Sequence, residues 1–165
     1  MAVGVAGDIV WAEGFGWADL GSQIPVAPGT SFRIGHVSKA LTSAAVGLLL
    51  ENGRLHLDDV IQMHVPAFPK KQWPVTLRQL MGHVAGVRHY EGEGDYMPSA
   101  HCKRASEGLQ PFADDPLRFE PESQYSYSTF GWILVSAAVE AAANESGEDW
   151  ELRRSRETGN RRGSR

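Results

Sequence analysis

Lys39 lies three residues after His36, at the start of the most apolar helix that the sequence predicts. Residues at this spacing share one face of a helix, so the ammonium group would lie beside the imidazole ring. A lysine in a poorly solvated pocket has a lowered pKa and can help to take a proton from a neighbouring nucleophile. The helix N-terminus adds backbone N–H groups and a dipole that favour a developing oxyanion. Taken alone, Lys39 also fits an ordinary lysine at a helix start.

The helix that would position these groups is predicted over residues 36–51. Its apolar side chains leave almost no polar face, which is typical of a helix in the middle of a domain. Asn52 and Gly53 predict its end, because glycine tolerates the left-handed conformation found there.

Two further helices follow in the sequence. Thr76 is a plausible N-cap for a short helix from Leu77 to about Gly82. Residues 128–143 show apolar side chains at helical spacing, and Asn144 to Gly147 are expected to end this helix.

The remaining segments predict strands and loops. Residues 2–17 alternate loosely between apolar and polar side chains around Gly7-Asp8, which predicts a β-hairpin with its turn at that dipeptide. Glycines and prolines make residues 18–35 loop-like. Residues 86–123 lack sustained periodicity and are predicted to be a long irregular excursion, a kind of segment that is usually functional or mobile.

Composition narrows the class of protein. A chain of 165 residues with 42% hydrophobic and 22% charged residues suits one globular domain, or a large part of one, and excludes disorder. No apolar run approaches the roughly 20 residues that span a bilayer. The acidic pI of about 5.8 argues against a nucleic-acid partner. Cys102 is the single cysteine, which excludes an internal disulfide.

The last 15 residues differ in composition from the rest of the chain. They hold six arginines and two glutamates, a net +4 within a chain of net charge −4, so residues 1–150 carry −8. We predict a domain over residues 1–150 and a basic, disordered tail over residues 151–165.

Four segments carry a resemblance to a known family: FRIGHVSK at 32–39, LENGRLHLDD at 50–59, VTLRQLMGHVAG at 75–86 and YSYSTFGW at 125–132. In order and spacing they resemble the serine β-lactamase and penicillin-binding-protein-like superfamily. The likeness is to its class C-like branch, which includes esterases and D-amino-acid peptidases. Arg88-His89-Tyr90 and the last segment resemble the mitochondrial serine β-lactamase-like proteins of animals.

The resemblance implies acyl transfer through a covalent serine. This superfamily uses Ser-x-x-Lys at the start of a buried helix, a Tyr-x-Asn element and a later Lys/His-Thr/Ser-Gly strand. Lys39 matches the motif lysine. Tyr127 matches the tyrosine, which can share the general-base role and protonate the leaving group. Thr129 stands at the asparagine position, where it keeps a hydroxyl but loses the amide geometry, and it is the expected substrate-binding residue.

Two departures from this pattern predict impaired catalysis. His36 occupies the nucleophile position; imidazole can form labile acyl intermediates, but its bulk would fill the space of the substrate carbonyl. Ser38 cannot replace the nucleophile, since it points about 100° away from Lys39, and Ser43 lies one turn deeper in the helix. No Lys-Thr-Gly-like element follows in the sequence, because Glu157-Thr158-Gly159 has the wrong charge and no strand-like context.

The resemblance implies an α/β (α+β) fold of β-lactamase/transpeptidase type, of which this chain would supply the N-terminal portion only. That portion comprises the β-hairpin, a buried central helix and a mostly helical region. Because the later strands of the fold would be missing, we expect a truncated domain of reduced stability. The hairpin would leave an open strand edge through which copies could self-associate.

We therefore expect a β-lactamase-related serine hydrolase family member, impaired in acyl transfer on a β-lactam, an ester or a D-amino-acid peptide. A non-catalytic binding or assembly protein and an inactive truncated gene product are the alternatives. The partner would be a small-molecule or peptide ligand. His83 resembles a structural histidine of the family, and no histidine spacing typical of a metal site occurs, so we predict neither metal nor other cofactor. No secretory signal is visible, which makes the cytoplasm the default expectation.

Overall fold

The computed structural model describes residues 1–92, 95 and 102–143. The chain divides into two compact units, Met1–Val37 and the part from Ser38 onward. The predicted boundary at residue 150 and the basic segment 151–165 lie outside the described residues, as does the predicted helix end at 144–147.

The first unit begins with a β-hairpin, as predicted, but this hairpin ends at Ala12 and not at residue 17. Strand β1 (Ala2–Val5) pairs antiparallel with strand β2 (Asp8–Ala12). The turn lies at Ala6-Gly7, one residue earlier than expected, and both residues have positive φ angles of 51° and 94°. Two positive φ angles match the right-handed twist of the flanking strands, so Asp8 begins β2 and does not form the turn.

A second, smaller hairpin follows in the first unit. Strand β3 (Trp17–Asp19) pairs antiparallel with strand β4 (Ile24–Pro25). The sequence predicted only a loop over residues 18–35, because two-residue and three-residue strands leave no periodicity to detect.

No residue of Met1–Val37 is buried. The apolar side chains of the hairpins face solvent; Val3 is 46% exposed, Ile9 is 72% exposed and Trp17 is 54% exposed. The first unit therefore lacks a hydrophobic core of its own.

Helix α1 (Ser38–Glu51) opens the second unit and ends as predicted. Gly53 has a φ of 64°, and its N–H donates to the Leu50 carbonyl while the Arg54 N–H donates to the Leu49 carbonyl. This pair of bonds is a Schellman motif, which satisfies carbonyl groups that the helix end leaves open.

Helix α1 is only partly buried, whereas its nearly all-apolar surface is typical of a helix in the middle of a domain. Ala45, Val46 and Leu49 are buried, whereas Leu41 and Leu48 are 46% and 37% exposed. Within the described residues, the helix that packs against α1 is α3 (Thr129–Ala143). The buried residues of α1 lie on part of its surface only, and the remaining apolar side chains are exposed.

Helix α3 is the central buried helix of the second unit. Its buried residues are Phe130, Gly131, Leu134, Val135, Ala137, Ala138, Val139 and Ala143. The start of α3 is fixed by Ser128, whose Oγ accepts a hydrogen bond of 2.9 Å from the Gly131 N–H. Ser128 is thus the N-cap, and the helix itself begins one residue later than predicted, at Thr129.

Helix α2 (Leu77–Met81) is closed at its N-terminus by the predicted cap. The Thr76 hydroxyl accepts from the Gln79 N–H at 3.3 Å, and the Gln79 side chain accepts from the Thr76 N–H at 3.0 Å. This reciprocal capping box satisfies two backbone donors at once and places the residues that follow α2 beside α3.

The described part of the irregular segment 86–123 packs onto α3. Its 3₁₀ helix spans Ala105–Leu109, and Leu109 and Phe112 are buried. The Phe112 ring stacks on Phe130 with centroids 4.4 Å apart. The segment therefore contributes to the core of the second unit.

Candidate active site

Lys39 and Tyr127 meet at the ends of the two helices that pack together. Lys39 lies in the first turn of α1, and Tyr127 lies two residues before α3. Lys39 Nζ donates a hydrogen bond of 2.7 Å to Tyr127 Oη and lies 5.0 Å from the centroid of the phenol ring. Tyr127 is 36% exposed and Lys39 is half-buried, so the pair is within reach of a ligand.

His36 lies in a 3₁₀ turn, Gly35–Val37, at the end of the first unit. Its side chain is exposed. The turn directly precedes α1 in the chain, so His36 stands at the sequence position that the Ser-x-x-Lys pattern gives to the nucleophile. Ser43 is half-buried within α1, one turn beyond Lys39.

Thr129 is the first residue of α3. Its Oγ1 is buried and has no hydrogen-bond partner among the described residues. The backbone N–H of Thr129 donates instead to His89 Nδ1 at 3.2 Å. The structure therefore brings Thr129 to the same helix start as Tyr127, with its hydroxyl facing away from solvent.

Two histidines that the sequence did not predict as site residues surround Tyr127. The His83 ring lies 4.4 Å from the Tyr127 ring, centroid to centroid, and the His89 ring meets Tyr127 edge-on at 5.3 Å. His83 Nδ1 accepts from the Ser128 N–H at 3.1 Å. Both histidines occur within segments that carry the family resemblance. Their place in these segments was the sequence signal that could have identified them as neighbours of the site.

His83 is held in an unusual backbone and electrostatic setting. Its φ is 60°, a left-handed conformation that is uncommon for a residue other than glycine. Burial is the main factor that lowers the pKa of His83, and the positive charge of Lys39 and the neighbouring His89 lower it further. These surroundings favour the neutral imidazole of His83.

Arg88 ties the irregular segment to the start of α3. Its guanidinium, 13% exposed, donates to Asp95 at 2.7 Å and to Asp115 at 2.5 Å. It also lies 4.8 Å over the Phe130 ring. The backbone carbonyl of Arg88 accepts from Ser128 Oγ at 2.7 Å, so the ion pairs and the α3 N-cap share one residue.

A charged cleft adjoins this ion-pair cluster. Its volume is about 500 Å³, and its walls are formed by Arg88, Glu91, Asp95, Asp115, Pro116, Leu117 and Arg118. Arg118 pairs with Glu91 across the cleft wall. Several of its charged groups are already paired with one another.

The arrangement supports proton transfer. An ammonium that donates to a phenol oxygen can pass a proton to that oxygen or take one from it, which is what a general acid–base pair requires. The N–H groups at the start of α3 are occupied by Ser128, His83 and His89. These contacts fix the backbone beside Tyr127.

No group of three or more His, Cys, Asp or Glu side chains suited to a metal ion occurs in residues 1–92, 95 and 102–143.

Over the same part of the chain, no helix combines the length and apolar character needed to cross a membrane.

The sequence model of the Beta-lactamase family matches residues 1–152. The chain therefore belongs to the β-lactamase family, which confirms the resemblance inferred from the four segments. The chain is 31% identical over 211 residues to the human mitochondrial serine β-lactamase-like protein LACTB. That alignment covers 87% of this chain and 39% of the human protein, so the chain spans well under half of this relative.

Two solved structures resemble the fold. The octameric penicillin-binding protein homologue from Pyrococcus abyssi matches with a TM-score of 0.70 and 25% identity, over 88% of this chain and 35% of that one. The penicillin-binding protein from Bacillus halodurans matches with a TM-score of 0.67 and 29% identity, over 80% of this chain and 41% of that one. The mixed helix-and-strand, partial β-lactamase/transpeptidase-like fold is thereby confirmed.

Proposed function

We propose that this chain carries the Lys39–Tyr127 part of a β-lactamase-related hydrolase site in which acyl transfer is impaired, because His36 replaces the serine nucleophile. The observation that carries the proposal is the 2.7 Å hydrogen bond between Lys39 Nζ and Tyr127 Oη. This contact joins two residues that match separate family motifs, while the position three residues before Lys39 holds an imidazole.

The proposed ligand is a β-lactam, an ester or a D-amino-acid peptide, each of which offers a carbonyl group next to a leaving group. Lys39 and Tyr127 would exchange protons with the ligand. Thr129 is the proposed substrate-binding residue, and because its hydroxyl is buried, contact with a ligand requires the side chain to rotate.

A covalent β-lactam probe tests the nucleophile position. We expect the native chain to gain no probe mass and to show no burst with a p-nitrophenyl ester. In a chain extended to full family length, His36→Ser should gain the mass of one probe molecule. His56→Ser, which places a serine at another exposed histidine, is the matched control and should remain unlabelled.

Two outcomes would contradict the proposal. Turnover of either substrate by the native chain would show that acyl transfer is intact. A folded, extended His36→Ser protein that never takes up the probe would show that residue 36 is not the lost nucleophile.

A second candidate function is assembly without catalysis, and it is favoured by the exposed apolar side chains of Met1–Val37. Ile9 is 72% exposed on β2, and an open strand edge bearing apolar side chains favours pairing with a second copy. The relative from Pyrococcus abyssi is described as octameric.

Light scattering coupled to size-exclusion chromatography tests this candidate. Ile9→Lys should lower the molar mass of any oligomer, while Ser22→Lys adds the same charge at an exposed polar position of the first unit and should not. A native chain that stays monomeric at all concentrations excludes assembly. If the chain also shows neither labelling nor stabilisation by any ligand of these classes, the interpretation that is left is an inactive truncated gene product.

A further inference from the structure

The start of α3 is held by two imidazole rings from outside the helix. The backbone N–H of Ser128 donates to His83 Nδ1 at 3.1 Å, and the N–H of Thr129 donates to His89 Nδ1 at 3.2 Å. These two donors belong to the residues that directly follow Tyr127. The first N–H groups of a helix have no partner within the helix, so the two rings supply acceptors that the fold needs there.

Both contacts require neutral histidines of one tautomer. A ring nitrogen accepts a hydrogen bond only while it carries no proton, so the hydrogen of each neutral ring must lie on Nε2. A protonated imidazole has donors at both nitrogens and no acceptor. Protonation of either ring therefore turns a hydrogen bond into a contact between two N–H donors.

The two rings also touch the side chain of Tyr127 itself. His83 packs against it at 4.4 Å between centroids, and His89 meets it edge-on at 5.3 Å. Tyr127 is thus held by its ring on two sides and by the backbone that follows it. A change in the position of either imidazole would therefore act directly on the Tyr127 ring that carries the phenol oxygen.

The charged and titratable groups around His83 come from three parts of the second unit. Lys39 approaches from α1 as a positive charge. Tyr125 and Tyr127 face the ring from the segment before α3. His89 approaches from the irregular segment and stacks on Tyr90 at 4.8 Å. A proton on His83 would therefore lie near an ammonium group and a second imidazole.

We propose that His83 and His89 are positioning residues for Tyr127, whose neutral Nδ1 atoms hold the start of α3 and keep the phenol oxygen against Lys39. The expected effect on acyl transfer rests on the proposed function. The expected effect on the position of Tyr127 rests only on the two hydrogen bonds. Acid that protonates either ring releases the segment and weakens the Lys39–Tyr127 contact.

Nitrogen-15 NMR of labelled histidine tests the tautomers directly. In the native chain at about pH 8, His83 and His89 should each show an unprotonated Nδ1 and a protonated Nε2, in place of the tautomer mixture of a free imidazole. An Nδ1–H tautomer at either ring would overturn the proposal. This readout needs no catalysis and is independent of whether residue 36 is the nucleophile position.

Paired substitutions separate positioning from simple packing. Asparagine presents Oδ1 where histidine presents Nδ1, and it tolerates the left-handed conformation of residue 83. Both variants remove the ring current that the imidazole exerts on Tyr127, so they are compared with each other: His83→Ala should shift the carbon-13 resonance of the Tyr127 ring further than His83→Asn does. His89→Asn and His89→Ala form the second pair, and His56→Asn, at an exposed histidine, should shift nothing.

The same pairs are then measured in the extended His36→Ser protein. The alanine variants should lower the rate of probe labelling about tenfold, the value of one hydrogen bond, and the asparagine variants should restore it. If labelling is absent throughout while the tautomers and the Tyr127 shifts behave as expected, the proposed function fails and the positioning role stands. Equal Tyr127 resonances in alanine and asparagine variants would overturn the positioning role.

Discussion

Lys39 and Tyr127 are 88 residues apart in the sequence, yet their side chains are joined by a hydrogen bond of 2.7 Å. The contact exists because α1 and α3 pack against each other and each carries one partner at its N-terminal end. A proton donor in the first turn of α1 and a phenol oxygen just before α3 are thus brought together by the packing of these two helices.

Tyr127→Phe tests whether this contact supports acyl transfer. In the extended His36→Ser protein, we expect the substitution to lower the rate of probe labelling about 10²–10⁴-fold, because a general acid–base group contributes that much. Tyr125→Phe is the matched control, since Tyr125 is a nearby phenol that is 70% exposed, and it should label at the parent rate. Equal rates for both variants would argue against a catalytic role for Tyr127.

The pH dependence of stability should report on His83. Burial, with the charge of Lys39 and the nearby His89, lowers the pKa of His83 below its ordinary value of 6.5. Below that pH the unfolded chain binds more protons than the folded chain, so this stability is present above pH 6.5 and is lost as the pH falls through the lowered pKa. We expect Tm to decline over this acid range, and His83→Asn to reduce the decline.

His56→Asn serves as the control in the same thermal scans monitored by circular dichroism. It removes an exposed histidine and should leave the decline unchanged. A native chain whose Tm rises on acidification through this range would contradict the sign of the prediction.

Arg88→Met should destabilise the second unit far more than Arg78→Met. The Arg88 side chain is 13% exposed and pairs with two carboxylates, so its loss leaves Asp95 and Asp115 without their cationic partner and removes the guanidinium from the Phe130 ring of α3. Arg78 pairs with Asp58 at the surface, with the two side chains 55% and 75% exposed, where solvent screens the attraction. The urea midpoint should fall clearly for Arg88→Met and stay within experimental error for Arg78→Met. Equal midpoints would show that the Arg88 cluster does not stabilise the fold.

Gly86→Ala and Gly53→Ala form a pair that isolates a close backbone approach. Both glycines have positive φ angles, 77° and 64°, so alanine is strained at both, by about 1–2 kcal/mol. A Cβ at residue 86 would also come within 2.5 Å of the Phe119 carbonyl oxygen, whereas a Cβ at residue 53 meets nothing within 4 Å. We expect a loss of about 2–5 kcal/mol for Gly86→Ala, since overpacking adds to the strain. Urea unfolding checks both values, and equal losses would exclude the close approach.

Features set by neighbours in the sequence were predictable from the residues. The capping box at Thr76 and the left-handed Gly53 follow from short patterns whose physical causes lie within a few residues. The bounds of α1 and α3 differ from prediction by two residues and one residue, because the apolar patterns are long. The family motifs likewise singled out Lys39 and Tyr127, two residues that a hydrogen bond of 2.7 Å joins.

Features set by distant parts of the chain were not predictable in the same way. The exposure of Leu41 depends on which elements pack against α1, and composition alone suggested burial on every side. The acceptor roles of His83 and His89 depend on the rotation of two rings toward a helix start about 40 residues further along, which no spacing rule encodes. The burial of Thr129 Oγ1 has the same origin.

The lack of buried side chains in Met1–Val37 affects how freely this stretch can vary. Large losses of stability on substitution come mainly from buried contacts, so single substitutions across β1–β4 should leave the folded population of the second unit almost unchanged. In a library of random single substitutions, the yield of soluble protein should hardly vary across β1–β4 and should fall sharply for substitutions in α3. The tryptophans and valines of the hairpins would then persist in evolving sequences only through a requirement other than folding.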